Sequence, residues 1–498
     1  MWWSKGENWR RAWNYNFEWT PDHFTREQLK PLMYTCDELA TRCLDRLDEI
    51  SPPLKRPDSK EMRPLLPPVT LQTSDKPPTP DPQPNDTTPP TPSPHHRDYY
   101  ALLKTHHASD PLLSQLWTEL TTVPDWVSAP QLVRGQAVFY RYAGPAIVGL
   151  TFQSLLGGMG GYRVAETLSR TGGFGVRVAR RRLLETFQHV LLVTRDLDSL
   201  TPKSGEGWIS SVRVRFLHAS VRRRILQLAG NESGGGGRYY DVDAHGVPVS
   251  DLDCIGTIAT FGATLVWVSF PRQGIYLSAA EKEDFIALWR YAAYLLGTPT
   301  EGFFDSVAHA RAIMESLLVI EIDPSPTSRV LANNIIAALA ARPPSFASEP
   351  FLAAETRWLN GDELSDALHV PRPGRWYTFL VGCQCVLFMV VCYSSRMVPA
   401  WDRRRIEGLK GKLHRIVLAL AGGGEAAHEF KYVPGLDVDT TRGQGTEKGD
   451  GEIGGRGVER RSVRAFAVTG TAIAAVAWLA LRYASGALQR VGLMGGQA

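Results

Sequence analysis

The sequence lacks most of the features that settle a protein's class at a glance. Six cysteines in 498 residues are too few for a disulfide scaffold. Lys and Arg number 55 against 51 Asp and Glu, a formal net charge of only +4, which leaves no global field of the kind a nucleic-acid binder carries. There is no phosphate-binding loop: the glycine clusters GGMGGYR and TGGFG lack the Lys-Ser/Thr ending and follow no clear strand. HExxH and GxSxG are missing, so zinc-hydrolase and serine-esterase chemistry have no support. Cys383-x-Cys385 has no second Cys or His pair at zinc spacing, and it lies in an apolar run where cysteine behaves as a small hydrophobe. The opening MWWSKGENWRRAW is aromatic and charged, without the apolar stretch of a secretory leader, so the sequons at Asn85 and Asn231 read as chance matches.

What the sequence does have is unevenly spread. Hydrophobic residues make up 43% and charged ones 21%, enough apolar matter for a sizeable core. Fifteen of the 34 prolines fall between Pro52 and Pro94, and five of the 14 tryptophans fall within the first 19 residues. Residues 1–50 therefore read as a Trp-rich arm followed by one helix, with Leu29, Leu32, Met33, Cys36, Leu39, Cys43 and Leu47 on its apolar face. Residues 51–97 form a Pro-rich disordered linker. From 98 to 425 helical periodicity dominates, with helices expected at 110–122, 129–157, 162–170, 176–195, 207–229, 251–269, 279–296, 303–320, 325–342, 349–367, 376–393 and 402–421. A Gly-rich disordered linker covers 433–460. The expected class is all-α: one helical domain with two tethers.

Two uncharged runs are long enough to meet a membrane. Trp376–Tyr393 would span ~27 Å as a helix, close to a hydrocarbon core of ~30 Å, and it equally fits a central helix of the folded core, the reading favoured here. Residues 465–481, flanked by Arg460, Arg461, Arg464 and Arg482, follow the second linker and read as a candidate C-terminal membrane anchor, with an interfacial helix as the competitor.

The polar groups that could carry chemistry sit inside helices. In RRRLLETFQHVLLVTRD, Arg182, Thr186 and His189 recur at i, i+4 and i+7, with Glu185 beside them. Such a face holds a polar network against a cofactor or forms a solvated stripe. In GWISSVRVRFLHASVRRRIL, Trp208, Val214, Leu217, Val221 and Ile225 make an apolar stripe bordering His218. A neutral imidazole on an apolar helix suits the proximal side of a haem iron once its second nitrogen is held by a hydrogen bond; it also suits an ordinary core histidine. The flanking Arg213, Arg215, Arg222, Arg223 and Arg224 are candidates for haem propionates or anionic lipid, or are the wet side of the helix.

Taken together, TFQSLLGGMGGYRVAETLSRTGGFG, RRRLLETFQHVLLVTRDL, GWISSVRVRFLHASVRRRI, HGVPVSDLDCIGTIATF with LSAAEKEDFIALWRYAAYLLGTP, and NGDELSDALHVPRP resemble the family of the ER-bound oxygenase mpaB and the rubber oxygenases, or latex clearing proteins. The likeness runs in order over about residues 110–400, and the Trp-rich opening with its Pro-rich linker is similar to fungal members. It implies a globin-like helical domain holding haem b, with O2 as co-substrate and oxidative cleavage of isoprenoid carbon–carbon double bonds as the activity. It further implies a membrane-associated enzyme at the endoplasmic reticulum, its catalytic domain facing the cytosol, acting on an apolar, prenylated small molecule and on no nucleic acid. By position, the resemblance makes His218 the proximal iron ligand, with Arg222 as a candidate cofactor contact. It makes Arg182 and Thr186 the distal Arg-x-x-x-Thr pair, and Glu166 the distal carboxylate base, charged under the influence of Arg182. One position departs: where bacterial rubber oxygenases carry a lysine that can occupy the distal iron position, this chain has Glu185. The sixth position is then open, water-bound or taken by His189. A non-catalytic haem- or lipid-binding helical membrane protein is the alternative function.

Overall fold

A computed structural model describes residues 8–53, 97–171, 174–230 and 239–420, with Ala467, Gly470, Thr471, Ala474, Trp478 and Arg482. Most of the Pro-rich and Gly-rich linkers, and all but five residues of the apolar run 465–481, lie outside the described residues.

The described chain is almost entirely helical. After the strands β1 (Trp9–Ala12) and β2 (Tyr15–Glu18) come α1 (Glu38–Ile50), α2 (Tyr99–His106), α3 (Pro111–Thr121), α4 (Ala129–Arg141), α5 (Ala143–Val148), α6 (Tyr162–Ser169), α7 (Val176–Thr194) and α8 (Glu206–Gly230). They are followed by α9 (Asp251–Phe261), α10 (Ala279–Leu295), α11 (Val307–Ile320), α12 (Pro326–Leu339), α13 (Glu349–Ala367), α14 (Arg375–Met397) and α15 (Pro399–Leu420). The starts are written in the sequence. Ser250, Ser278 and Ser325 close reciprocal capping boxes, and Asp98 and Asp110 cap α2 and α3 with two backbone N–H groups each.

Four expected helices are interrupted, among them 349–367, which kinks at Gly361 (φ 78°). The run 27–50 is not one helix: Pro31 falls in a 3-10 turn, the chain extends, and Asp37 starts α1 afresh by accepting from the Ala40 N–H at 3.1 Å. The run 129–157 breaks at Tyr142 and widens into a π-helix at Gly149–Leu156. The run 251–269 is distorted at Gly262 (φ −103°, ψ −78°) and resumes as a π-helix at Leu265–Ser269. The ribbon β1–β2 and helix α2 went unforeseen.

That ribbon turns through Trp13 and Asn14, both in the left-handed region (φ 49° and 59°), as a two-residue hairpin requires. It is bolted to the helices rather than free. The Trp13 indole donates to the Leu318 carbonyl at 3.0 Å, and the Tyr15 hydroxyl donates to Glu315 at 2.8 Å. The N-terminal arm also belongs to the main core, in which Leu29, Ala40, Cys43, Leu44 and Leu47 pack with Leu113, Leu116, Trp208, Val212 and Phe216. A second cluster joins the π-helix, α6, α12 and α13 through Phe152, Leu156, Ala165, Leu331, Ile335 and Leu359.

A buried ion pair fixes the arm on α8. Arg215 Nε donates to Asp37 Oδ2 at 2.6 Å and Nη2 to Oδ1 at 3.1 Å, while Nη1 reaches Glu119 at 2.8 Å. The two carboxylates hold the Arg215 pKa above its ordinary value, although burial opposes this.

Helix α14 is not the central core helix expected. It lies on the outside, against α13, α15 and α5. Its inner side approaches closely because Gly144 leaves room for Phe388, and the Tyr393 hydroxyl donates to the Gly274 carbonyl at 3.0 Å while accepting from the Tyr276 N–H. On the outer side Trp376, Phe379, Val386, Val390 and Met397 are exposed, at spacings that put them on one helical stripe. Among the described residues two helical stretches are long and apolar enough to cross a membrane, Asp251–Arg272 and Arg375–Met397; the first is mostly buried, whereas only 28% of the second is.

Two consequences are measurable. Arg215→Ala leaves the Asp37 carboxylate buried without its cation and is expected to lower unfolding free energy by about 3–5 kcal/mol in denaturant titrations, whereas Arg213→Ala, whose ion pair is more exposed, costs about 1 kcal/mol or less. Glu355 on α13 is buried with the Gln384 amide of α14 as donor, and burial raises its pKa to about 7. The folded state thus holds this proton above the unfolded value near 4.5, so stability falls as pH rises from there through 7, by about 3 kcal/mol in total. Glu355→Gln is expected to flatten that slope and to be more stable than the wild type at alkaline pH.

Candidate functional site

Helices α7 and α8 pack side by side, and the sequence-predicted residues fall on them and on α6. His218 lies on α8 between Arg215 and Arg222, which bracket it on one helical face at i−3 and i+4. Burial, first, and then the Arg222 charge push its pKa down to about 4, so the ring is neutral at physiological pH. The residue nevertheless keeps accessible surface, and among the described residues its ring makes no hydrogen bond. An imidazole embedded among protein atoms, neutral and without a described hydrogen bond, would suit an iron ligand. The orienting hydrogen bond expected on its second nitrogen is not among those described.

On α9, burial raises the Cys254 thiol to about 12, although the residue keeps some accessible surface. A Cβ added to Gly256 would touch only Leu317 Cδ1 at 3.8 Å.

Arg222 does not fit a cofactor carboxylate. Its Nη1 donates to the Asp37 carbonyl at 3.3 Å and the Thr41 hydroxyl at 2.9 Å, and Nη2 to the Val249 carbonyl at 2.9 Å. The guanidinium is 3% exposed and stitches α8 to the arm. Its electrostatic effect, disfavouring a second positive charge on His218, replaces the expected ligand contact. The flanking arginines are engaged likewise: Arg213 on Asp98 at 2.6 Å, Arg215 on Asp37 and Glu119, and Arg223 on Asp45 at 2.8 Å and Asp48 at 2.7 Å.

On α7, Arg182 is buried and its Nη2 donates to the Thr171 hydroxyl at 2.9 Å, with the guanidinium 5.4 Å over the Phe174 ring. Burial lowers its pKa to about 10, so it stays charged at neutral pH. Thr186, one turn on, is exposed. His189 continues the stripe and shares a 2.9 Å hydrogen bond with the Ser210 hydroxyl of α8. Glu185 lies 3.7 Å from Arg181 one turn back, and its charge acts on Arg182.

Glu166, on α6, pairs with Arg170 rather than with Arg182: Oε2 lies 3.0 Å from Arg170 Nη1. The expected Glu166–Arg182 couple is therefore replaced by two couples, Glu166–Arg170 and Arg182–Thr171, side by side around the turn that closes α6. Arg170 was legible, being four residues from Glu166 on one helix; Thr171 and Ser210 carried no signal, because each meets its partner only through the tertiary fold. Among the described residues no three His, Cys, Asp or Glu side chains cluster as a metal site.

Residues 140–386, the stretch that holds Glu166, Arg182, Thr186, His218 and Arg222, match the family described as ER-bound oxygenase mpaB/B'/Rubber oxygenase, catalytic domain. A rubber oxygenase of Streptomyces sp. (strain K30) is 24% identical over 173 residues, which are 35% of this chain and 40% of the relative's length. A solved structure of latex clearing protein LCP in the closed state is 18% identical, with a TM-score of 0.46, over 62% of this chain and 78% of that one. Spanning the strands of sequence that carry Glu166, Arg182, Thr186 and His218, the match leaves a plain conclusion: the chain belongs to the mpaB/rubber oxygenase family.

Proposed function

We propose that this protein is a membrane-associated, haem b-dependent oxygenase that uses O2 to cleave a carbon–carbon double bond in an apolar, isoprenoid-bearing molecule. His218 carries the reading, as a neutral imidazole without a described hydrogen bond, partly accessible, inside the stretch that matches the family's catalytic domain. A pKa of about 4 keeps its ligating nitrogen free of a proton over the physiological range. Arg222 and the Asp37–Arg215 clasp on either side hold α8, and with it the ring, in register.

Haem bound there supplies the activation of O2. The chain supplies the rest. Arg182, fixed by Thr171, keeps a positive charge at the far side of the site, and Thr186 offers an exposed hydroxyl one turn away for orienting a polar group. Glu166 takes the allylic proton of the substrate, its carboxyl held in place by Arg170. Glu185 brings no amine to the site, and the His189 ring is tied to Ser210, so neither would serve as a ligand to the group's iron.

The exposed apolar stripe of α14 supports the membrane part of the reading, since an apolar substrate partitions into lipid. We place the protein at the endoplasmic reticulum, with its catalytic domain in the cytosol. Binding without turnover is the competing reading, favoured by Glu185 in place of the family's lysine.

Protein purified after expression with ample haem is expected to show a Soret band that His218→Ala loses; a wild type without the band sinks the proposal. Glu166→Ala is expected to keep the band and lose about a hundredfold or more in formation of aldehyde or acid fragments from prenylated compounds with O2. Fragments formed at the wild-type rate would remove the base assignment, and none from either protein would leave a binder.

A further inference from the structure

Where α14 ends and α15 begins, beside the last exposed residues of the stripe, a cavity of about 360 Å³ opens between α14, α15, α4 and the start of α10. Its walls include Arg141, Ser278, Glu281, Arg396, Asp402 and Arg403. Three guanidiniums face two carboxylates, which leaves one positive charge in excess.

The groups are unevenly satisfied. Arg141 is engaged with Glu281 at 2.9 Å and Asp402 at 2.7 Å. Arg396 donates weakly to the Tyr142 hydroxyl at 3.2 Å and lies 3.5 Å from Glu281. Arg403 is exposed and, among the described residues, has neither ion pair nor hydrogen bond. Asp402 is 6% exposed, yet its Oδ1 is buried without a donor, although Oδ2 takes two from Arg141. A buried acceptor left unmatched costs roughly 1–3 kcal/mol, and a ligand donor would relieve it.

A ligand that completes this cavity needs an anionic oxygen cluster for Arg403 and Arg396 and a hydrogen-bond donor for Asp402. A phosphodiester joined to an ammonium or hydroxyl group has both. The surroundings say where it comes from. Met397 (81% exposed), Val398 and Trp401 are exposed next in sequence to the lining residues Arg396, Pro399 and Asp402, and the stripe of Trp376, Phe379, Val386 and Val390 runs along the same helix. The 27 residues from Arg375 to Trp401 contain no Asp or Glu, whereas Arg372, Arg375, Arg396, Arg403 and Arg404 flank the apolar surface at its two ends. An apolar stripe with tryptophan at both ends and arginine beyond matches the layering of a bilayer surface.

We propose that this cavity binds the phosphate-bearing headgroup of a membrane phospholipid with a donor in the headgroup, such as phosphatidylserine, and that α14 lies along the bilayer surface rather than across it. The inference rests on the membrane reading above and adds the site that selects the lipid.

The test uses the full chain with vesicles of phosphatidylcholine alone or with about 30 mol% phosphatidylserine, read by co-sedimentation. Wild type is expected to prefer the serine vesicles. Removing any surface arginine near an anionic bilayer costs about fivefold, so Arg404→Gln, outside the cavity, should lose only that, while Arg403→Gln should lose about tenfold or more. Equal losses for the two variants overturn the headgroup site, and circular dichroism checks that both fold. Paired Phe379→Ser and Val386→Ser substitutions are expected to weaken binding to both vesicles alike. If wild type binds neither vesicle, the membrane reading fails. Calorimetry with glycerophosphoserine then decides the cavity: saturation abolished by Arg403→Gln makes it a site for a soluble phosphodiester, and no binding overturns it altogether.

Discussion

The clasp between Asp37 and Arg215 is the constraint on which the rest of the structure hangs. Asp37 does two jobs with one carboxylate, capping α1 through the Ala40 N–H and receiving two N–H groups of Arg215. Its carbonyl takes a further one from Arg222. The N-terminal arm is thereby held on both sides of His218, which sits between the two arginines on α8. Such a buried pair adds little net stability over an apolar contact; its effect is on register, because a slip of α8 by one residue would leave a carboxylate and a guanidinium buried without partners.

The same arrangement sets the chemistry of the ring. Buried, and with the Arg222 charge beside it, His218 does not take up a second proton near neutral pH. The residue offered from sequence as a cofactor contact, Arg222, acts through that repulsion and through its ties to Thr41 and Val249. Across the domain, Glu166 pairs with Arg170 at i,i+4 spacing, and Arg182 meets Thr171 only through the fold. The catalytic reading proposed here therefore assigns charge to Arg182 and proton transfer to Glu166 as separate tasks, where a single ion pair was expected.

Much of the helical text was legible. Serine and aspartate caps mark where α3, α9, α10 and α12 start, and the periodicity between them is regular. The failures have physical causes. The run 27–50 has a continuous apolar face, but Pro31 and the Asp37 cap divide it. The ribbon Trp9–Glu18 is too short to show alternation, and its hairpin uses Trp13 in a left-handed conformation that no turn preference predicts. Helix α14 was misread as a core helix because an uncharged run looks the same whether protein or lipid covers it. At the site, positions on α7 and α8 came through the family resemblance, whereas Thr171, Ser210 and the anchoring of Arg222 arise from contacts distant in sequence.

The central claim is that His218 is the protein's one iron ligand, and a cavity variant tests it most directly. His218→Gly protein, expressed with haem and then given imidazole, should have no haem spectrum alone and regain the wild-type electron paramagnetic resonance signal with imidazole bound in the vacated space. A His218→Gly protein that keeps the wild-type signal without imidazole would contradict the account.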